Sequence, residues 1–144
     1  MTSAPPTAAS AEVGTQLPEL VATITRLDLI KYAGASGDYN VIHWSQRIAT
    51  AVGLPGVIAH GMLTMAVAAR VVTDWVGDSA RVEHYSVRFS APVPVPDDDR
   101  GIDVTLRGVV EEKLPDGRVR VAITATIGEG TTVLSAATAI VRLD

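Results

Sequence analysis

No cysteine occurs among the 144 residues, which removes thiolate nucleophiles, disulfides and thiolate-held metals together. That absence fits a reducing compartment, and the cytoplasm is the expected location. Aromatic residues make up only 4% of a chain that is 47% hydrophobic, with a single Phe, so the core has to be assembled from Val, Ile, Leu and Ala. Positive charge is scarce as well. The 12 Lys and Arg against 16 Asp and Glu give a net charge of -4 with no basic block, which excludes nucleic acid as an expected partner. The most apolar run, Gly61 to Val76, is shorter than the ~20 residues of a membrane-spanning helix and is broken by Arg70 and Asp74. No membrane partner is expected. The three His include no ligand-spaced pair such as H-E-x-x-H, so the expected site has neither metal nor cofactor.

What is present suits one domain with one core. Residues 1–12, rich in Thr, Ser, Ala and Pro, lack the charged and apolar regions of a secretory signal. They are expected to form a disordered tail ahead of a single domain over 13–144. Leu17 to Thr25 reads as a first strand, confined to an edge or a strand start by Pro18. Thr25 suits the N-cap of a short helix over Arg26 to Tyr32, and Trp44 to Val52 suits another, stopped by Gly53-Leu54-Pro55-Gly56. From Met62 to Val76 only Thr64, Arg70, Thr73 and Asp74 are polar, which predicts a helix buried nearly all round. Beyond Gly77 the period changes. Arg81–Val93, the alternation at Ile102, Val104 and Leu106, the run around Val119–Ile123, and Thr131–Leu143 predict a sequential antiparallel meander of about four strands. Hairpins fall at Pro115-Asp116-Gly117 and Gly128-Glu129-Gly130. One long helix beside such a sheet is an α+β layout.

The chemistry concentrates between Tyr32 and His43, in Tyr-Ala-Gly-Ala-Ser-Gly-Asp-Tyr-Asn-Val-Ile-His. Asp38 and His43 stand five apart in a glycine-bearing loop, a carboxylate and an imidazole able to exchange protons with one substrate. Taken alone, the same pair is compatible with a loop cap and a satisfied polar histidine. Asn40 between them reads equally as a loop-orienting group or a turn residue. Ser36 lacks the G-x-S-x-G elbow of a nucleophile and reads as a cap. His60 reads as mainly structural, and His84 has no evident partner.

The segment from Tyr32 to His43, with Ala49 six residues on, resembles the signature of the MaoC-like hydratase/dehydratase family: Tyr, then Ser-Gly-Asp-x-Asn-Pro-Ile-His-x(5)-Ala. Ile58-Ala59-His60-Gly61-Met62-Leu63 is similar to the family's second landmark, at the start of the central helix. Further matches at Val52-Gly53-Leu54, Thr73-x-Trp75-Val76-Gly77-Asp78 and Val87-Arg88-Phe89 resemble the branch of catalytic B subunits of (3R)-hydroxyacyl-ACP dehydratases. Val41 stands where the family usually has Pro, so one fixed φ is lost.

The resemblance implies a hot-dog fold, a curved antiparallel sheet wrapped around one long helix. It also implies reversible syn loss of water from a 3-hydroxyacyl thioester, on acyl-ACP or acyl-CoA, in type II fatty-acid synthesis. The alternatives are a homodimeric (R)-specific enoyl-CoA hydratase, a polyketide-pathway dehydratase, or a non-catalytic acyl-binding subunit. The implied partner is a second hot-dog subunit, in a heterodimer in preference to a homodimer. Asp38 and His43 are then the catalytic pair and Asn40 supports them. Gly61, at the start of the buried helix, offers an unpaired N–H, the positive end of the helix dipole and room for a thioester carbonyl, the makings of an oxyanion hole.

Overall fold

Capping chemistry fixes where the first helix begins. In the computed structural model, which describes residues 6–143, the Thr25 hydroxyl accepts the Asp28 N–H while the Thr25 N–H donates to Asp28 Oδ2 at 2.9 Å. This reciprocal pair satisfies two donors at the start of α1 (Arg26–Ser36). Hydrogen bonds from Thr25 hold the Asp28 carboxyl below its ordinary range. The helix is a turn longer than the sequence predicts. Gly34 is tolerated inside it, and the stop comes only at Gly37.

Two further helices follow, α2 (Gln46–Ala51), capped by Ser45, and α3 (Gly61–Val76). Five antiparallel strands form one sheet: β1 (Leu20–Ile24), β2 (Val82–Phe89), β3 (Ile102–Leu114), β4 (Arg118–Ile127) and β5 (Thr131–Arg142), in the order β1-β3-β4-β5-β2. The expected meander holds for β3, β4 and β5. It fails for β2, which lies beside β5 at the far edge and not beside β3. Between them, Pro92, Pro94 and Pro96 prevent a tight hairpin and send the chain across the end of the sheet. The hairpin turns fall where the sequence puts them, with Asp116 and Gly117 both at positive φ (62° and 70°).

The core follows from the strand alternation. Val104, Leu106 and Val110 of β3 share one buried face with Val119, Val121, Ile123 and Ala125 of β4. Against that face α3 lays Thr64, Ala68, Val71, Val72 and Val76. The expectation of a helix buried all round needs correcting, since Met62 and Ala66 face outward and are exposed. An apolar composition here marks one face turned to the core and another left open in the single chain. Bulges in β2, β3 and β5 bend the sheet, giving the curved sheet and long helix of a hot-dog fold. Part of the expected tail, residues 1–5, lies outside the described residues. Ala11, by contrast, is buried in the core, and Glu12 pairs with Lys113 at 2.8 Å.

Candidate active site

The end of α1 and the start of α3 converge on one loop. Gly37 closes α1 in the left-handed conformation (φ 75°), its N–H on the Ala33 carbonyl at 2.9 Å. A side chain with Cβ is strained there, so glycine is what lets the chain turn straight out of the helix into Asp38. Ser36 secures the turn, its Oγ donating to the Tyr32 carbonyl (2.8 Å) and accepting the Asp38 N–H (3.2 Å). Asp38 Oδ1 accepts the Asn40 N–H at 3.1 Å. Asn40 Oδ1 accepts the Ile42 N–H at 3.3 Å and so caps a single 3-10 turn, Val41–His43. That cap, with the Ser45 N–H on the Val41 carbonyl at 2.8 Å, fixes the turn without the family's usual proline.

His43 is 8% exposed, and its Nδ1 lies 2.8 Å from the Ile58 carbonyl. A carbonyl only accepts, so Nδ1 carries the proton and Nε2 keeps its lone pair. Nε2 is 3.9 Å from Asp38 Oδ2. The Ile58 backbone is itself clamped: its N–H donates to the Ile42 carbonyl at 3.3 Å, and the bonds Ala59 N–H to Val93 O (2.8 Å) and Val95 N–H to Val57 O (2.9 Å) tie it to the proline-rich segment. The segment between β2 and β3 therefore also holds, through Val93 and Val95, the backbone carrying the carbonyl against His43 Nδ1.

His43 and Gly61 line the same cavity of about 340 Å³, whose walls include Ile58, Phe89, Val93 and Leu134. Gly61 is the first residue of α3, and no side chain caps that end. The uncapped first turn of α3, at the positive end of its dipole, thus borders a mostly apolar cavity that His43 also lines. Access is tight. A Cβ at Gly61 would meet the Phe89 ring at 3.1 Å.

His60 is drawn into the site more closely than its sequence reading suggests. It is 1% exposed, donates from Nε2 to the Asp38 carbonyl at 3.0 Å, and stacks on His43 with centroids 3.8 Å apart and planes 24° from parallel. Burial holds its imidazole below the ordinary histidine value, opposed by the bond to Asp38 and reinforced by the neighbouring His43. Asp38, His43 and His60 offer ligand atoms within 4.8 Å of one another. Both histidines already spend one nitrogen on a carbonyl, however, and the remaining lone pairs belong to nearly parallel rings and do not converge on a tetrahedral ion. His84 is exposed on β2, away from these groups.

Comparison with known proteins agrees with the motif. The MaoC like domain matches residues 8–126. The chain belongs to the MaoC-like family. Among its MaoC-like relatives, the 3-hydroxyacyl-thioester dehydratase X of Mycobacterium tuberculosis is 37% identical over 102 residues, 65% of this chain and 35% of that protein. The (R)-specific enoyl-CoA hydratase of Rhodospirillum rubrum is 34% identical over 99 residues, 68% of each chain. A solved MaoC-like dehydratase superposes with a TM-score of 0.92 at 39% identity, covering 97% of this chain and 43% of that one. The ChsH1–ChsH2 complex from Mycobacterium tuberculosis gives a TM-score of 0.78 at 26% identity, covering 92% and 98%. The chain therefore spans about a third of the mycobacterial dehydratase and under half of the MaoC-like dehydratase structure. Its hot-dog fold is that of these neighbours, and the homologues carry the names of hydro-lyases.

Within this MaoC-like site, sequence reasoning brings Asp38, Asn40, His43 and Gly61 to one place. It misses the Ile58 carbonyl, Phe89 and the packing of His60 against His43. A backbone acceptor leaves no mark in side-chain chemistry, and Phe89 reaches Gly61 only because β2 sits at the sheet edge. The His60-Gly61 pair inside the second family landmark was the available signal for His60.

Proposed function

We propose that the chain is a (3R)-hydroxyacyl-thioester dehydratase, reversible as an (R)-specific enoyl hydratase, acting on acyl-ACP in type II fatty-acid synthesis as a catalytic subunit in the cytoplasm. The observation that carries this reading is His43, with Nδ1 on the Ile58 carbonyl, Nε2 3.9 Å from the Asp38 carboxylate and the residue lining a mostly apolar cavity. His43 Nε2 takes the Cα proton, and the Cα–H electrons form the new double bond. Asp38 Oδ2 holds the 3-hydroxyl on the same face, so the C–O bond breaks in a syn elimination. The hydroxyl leaves with that proton as water, giving the trans-2-enoyl thioester. Negative charge moves to the thioester oxygen during the transfer, and the Gly61 N–H at the helix start is the donor for it. Asn40 supports the pair by capping the turn that carries His43. The acyl chain lies along Ile58, Phe89, Val93 and Leu134.

The named activities of the two bacterial relatives support a thioester substrate for this site. A second hot-dog subunit is the proposed partner, in a heterodimer. In support, Ile30, Tyr39 and Trp44, each more than half exposed in the single chain, line one surface depression, a contiguous apolar patch of the kind that marks interaction sites, and the ChsH1–ChsH2 neighbour is a complex.

The test is an absorbance assay for the enoyl thioester with (3R)- and (3S)-hydroxyacyl substrates on ACP and on CoA. Water loss from the (3R) epimer alone is expected, faster on ACP. Release of free thiol in place of enoyl product would mean a thioesterase. Binding without turnover would mean an acyl-binding subunit, and a clear preference for CoA would favour the enoyl-CoA hydratase reading.

A further inference from the structure

We propose that His60 is a positioning residue for the Asp38–His43 pair, acting through its ring on one partner and through its N–H on the other. This inference rests on the pair being catalytic, as argued above. His60 belongs to neither the loop nor the 3-10 turn. It is the residue before α3, and its carbonyl accepts the Thr64 N–H at 3.1 Å and the Thr64 hydroxyl at 3.4 Å, so it is anchored to the first turn of the core helix. From there its Nε2–H reaches 3.0 Å to the Asp38 carbonyl, fixing the backbone that carries the carboxylate. Its ring lies against the His43 imidazole on one side (3.8 Å) and the Tyr32 ring of α1 on the other (4.9 Å, tilted 55°). One buried side chain thus spans the helix start that bears Gly61, the aspartate loop and the histidine turn.

A satisfied core histidine does not account for the second nitrogen. Because Nε2 donates, Nδ1 must be the acceptor, and it is buried with no hydrogen-bond partner among the described residues. Leaving a buried polar atom unpaired is destabilising, and an apolar ring of the same shape would avoid it. What an apolar ring cannot do is donate to Asp38. What an open-chain amide cannot do is stack on His43. Imidazole is a side chain that does both, and it does so uncharged: the groups facing it are Asp38, His43 and Tyr32, and burial favours the neutral form. A neutral ring matters because a second charge 3.8 Å from His43 would oppose protonation of the base during turnover.

Two variants separate the two contacts. His60→Phe keeps the stack and removes the N–H. His60→Gln keeps an N–H and removes the stack. Each is made in the full chain and followed by kcat, KM, thermal melting and 15N NMR of the imidazoles at neutral pH. Both variants are expected to stay folded and lose roughly tenfold or more in kcat, the scale of a misplaced reacting group, with KM changed by less than about threefold. The 15N spectrum should show His43 as a single Nδ1-protonated tautomer in the wild type and in His60→Phe, but as a mixture in His60→Gln, where the ring is free to turn away from Ile58. Folded variants with wild-type kcat and an unchanged His43 tautomer would overturn the inference while leaving the proposed function standing. If the catalytic reading itself is wrong, Asp38→Asn keeps its activity, and the tautomer change still reports whether His60 positions His43.

Discussion

Gly61 offers the sharpest perturbation, because the structure supplies two separate reasons for a loss of activity and a way to divide them. A Cβ built there lies 3.1 Å from Phe89 Cε1 and 3.3 Å from Cδ1 and Cζ, inside the 3.5–4.0 Å of a relaxed carbon contact. Phe89 is half exposed, so its ring can move by the few tenths of an ångström that Gly61→Ala requires, and that variant should be mild. Gly61→Val adds two methyls beside the first-turn N–H groups. It should cost about 10²-fold or more in kcat, comparable to losing one oxyanion donor and equal to roughly 2.7 kcal/mol or more. The alternative cause is displacement of Phe89 into the cavity. Measuring Gly61→Val in both the wild-type and the Phe89→Ala backgrounds closes a double-mutant cycle. With the enoyl-thioester absorbance as the readout, the same ~10²-fold factor is expected in both backgrounds. If the factor shrinks below about threefold once Phe89 is gone, the oxyanion site lies elsewhere.

Three further outcomes follow from the fold. Thr25→Ala removes the cap of α1 and should lower stability by ~1 kcal/mol in denaturant melts. Because the Asp28 carboxyl is held below its ordinary value, its contribution should be intact above about pH 4 and fade as pH falls through the folded-state value; a wild-type acid profile in Thr25→Ala would contradict this. Tyr85, whose hydroxyl donates to the Met65 carbonyl of α3 at 2.8 Å, has its phenol pushed up to about 12 by burial. The stability contribution of Tyr85 should therefore be fully present and independent of pH below ~10 and be lost as pH rises from there through about 12, and Tyr85→Phe should abolish that part of the alkaline transition. Light scattering should find the chain associated with a second hot-dog subunit on co-expression, and a stable, fully active monomer would refute the partner proposal.

The parts of the fold carried by local chemistry were legible. Thr25 announces an N-cap, Asp116-Gly117 a hairpin, and Ile102, Val104 and Leu106 a strand with one buried face. Where β2 pairs was not legible, because the choice between β3 and β5 rests on the crossing path of residues 90–101 and not on any property of Val82–Phe89. The end of α1 was misread for a local reason: Gly34 and Gly37 look alike in sequence, and only the backbone conformation at Gly37 makes it the stop. Asp38 and His43, which the motif singles out, lie 3.9 Å apart, while the Ile58 carbonyl against His43 Nδ1 is a backbone atom any residue could have supplied. His60 was visible in the motif, but its stacking on His43 and its bond to the Asp38 carbonyl are set by tertiary structure.

The central claim is that Asp38 and His43 act together on one thioester, and the direct measurement is kcat/KM for Asp38→Asn and His43→Ala with a (3R)-hydroxyacyl thioester. Both variants should remain folded, since Asp38 is half exposed and the turn carrying His43 keeps its Asn40 cap. Each is expected to lose about 10²- to 10⁴-fold, the usual contribution of a positioned acid or base. A folded variant of either residue that keeps more than about half of the wild-type kcat/KM contradicts the account.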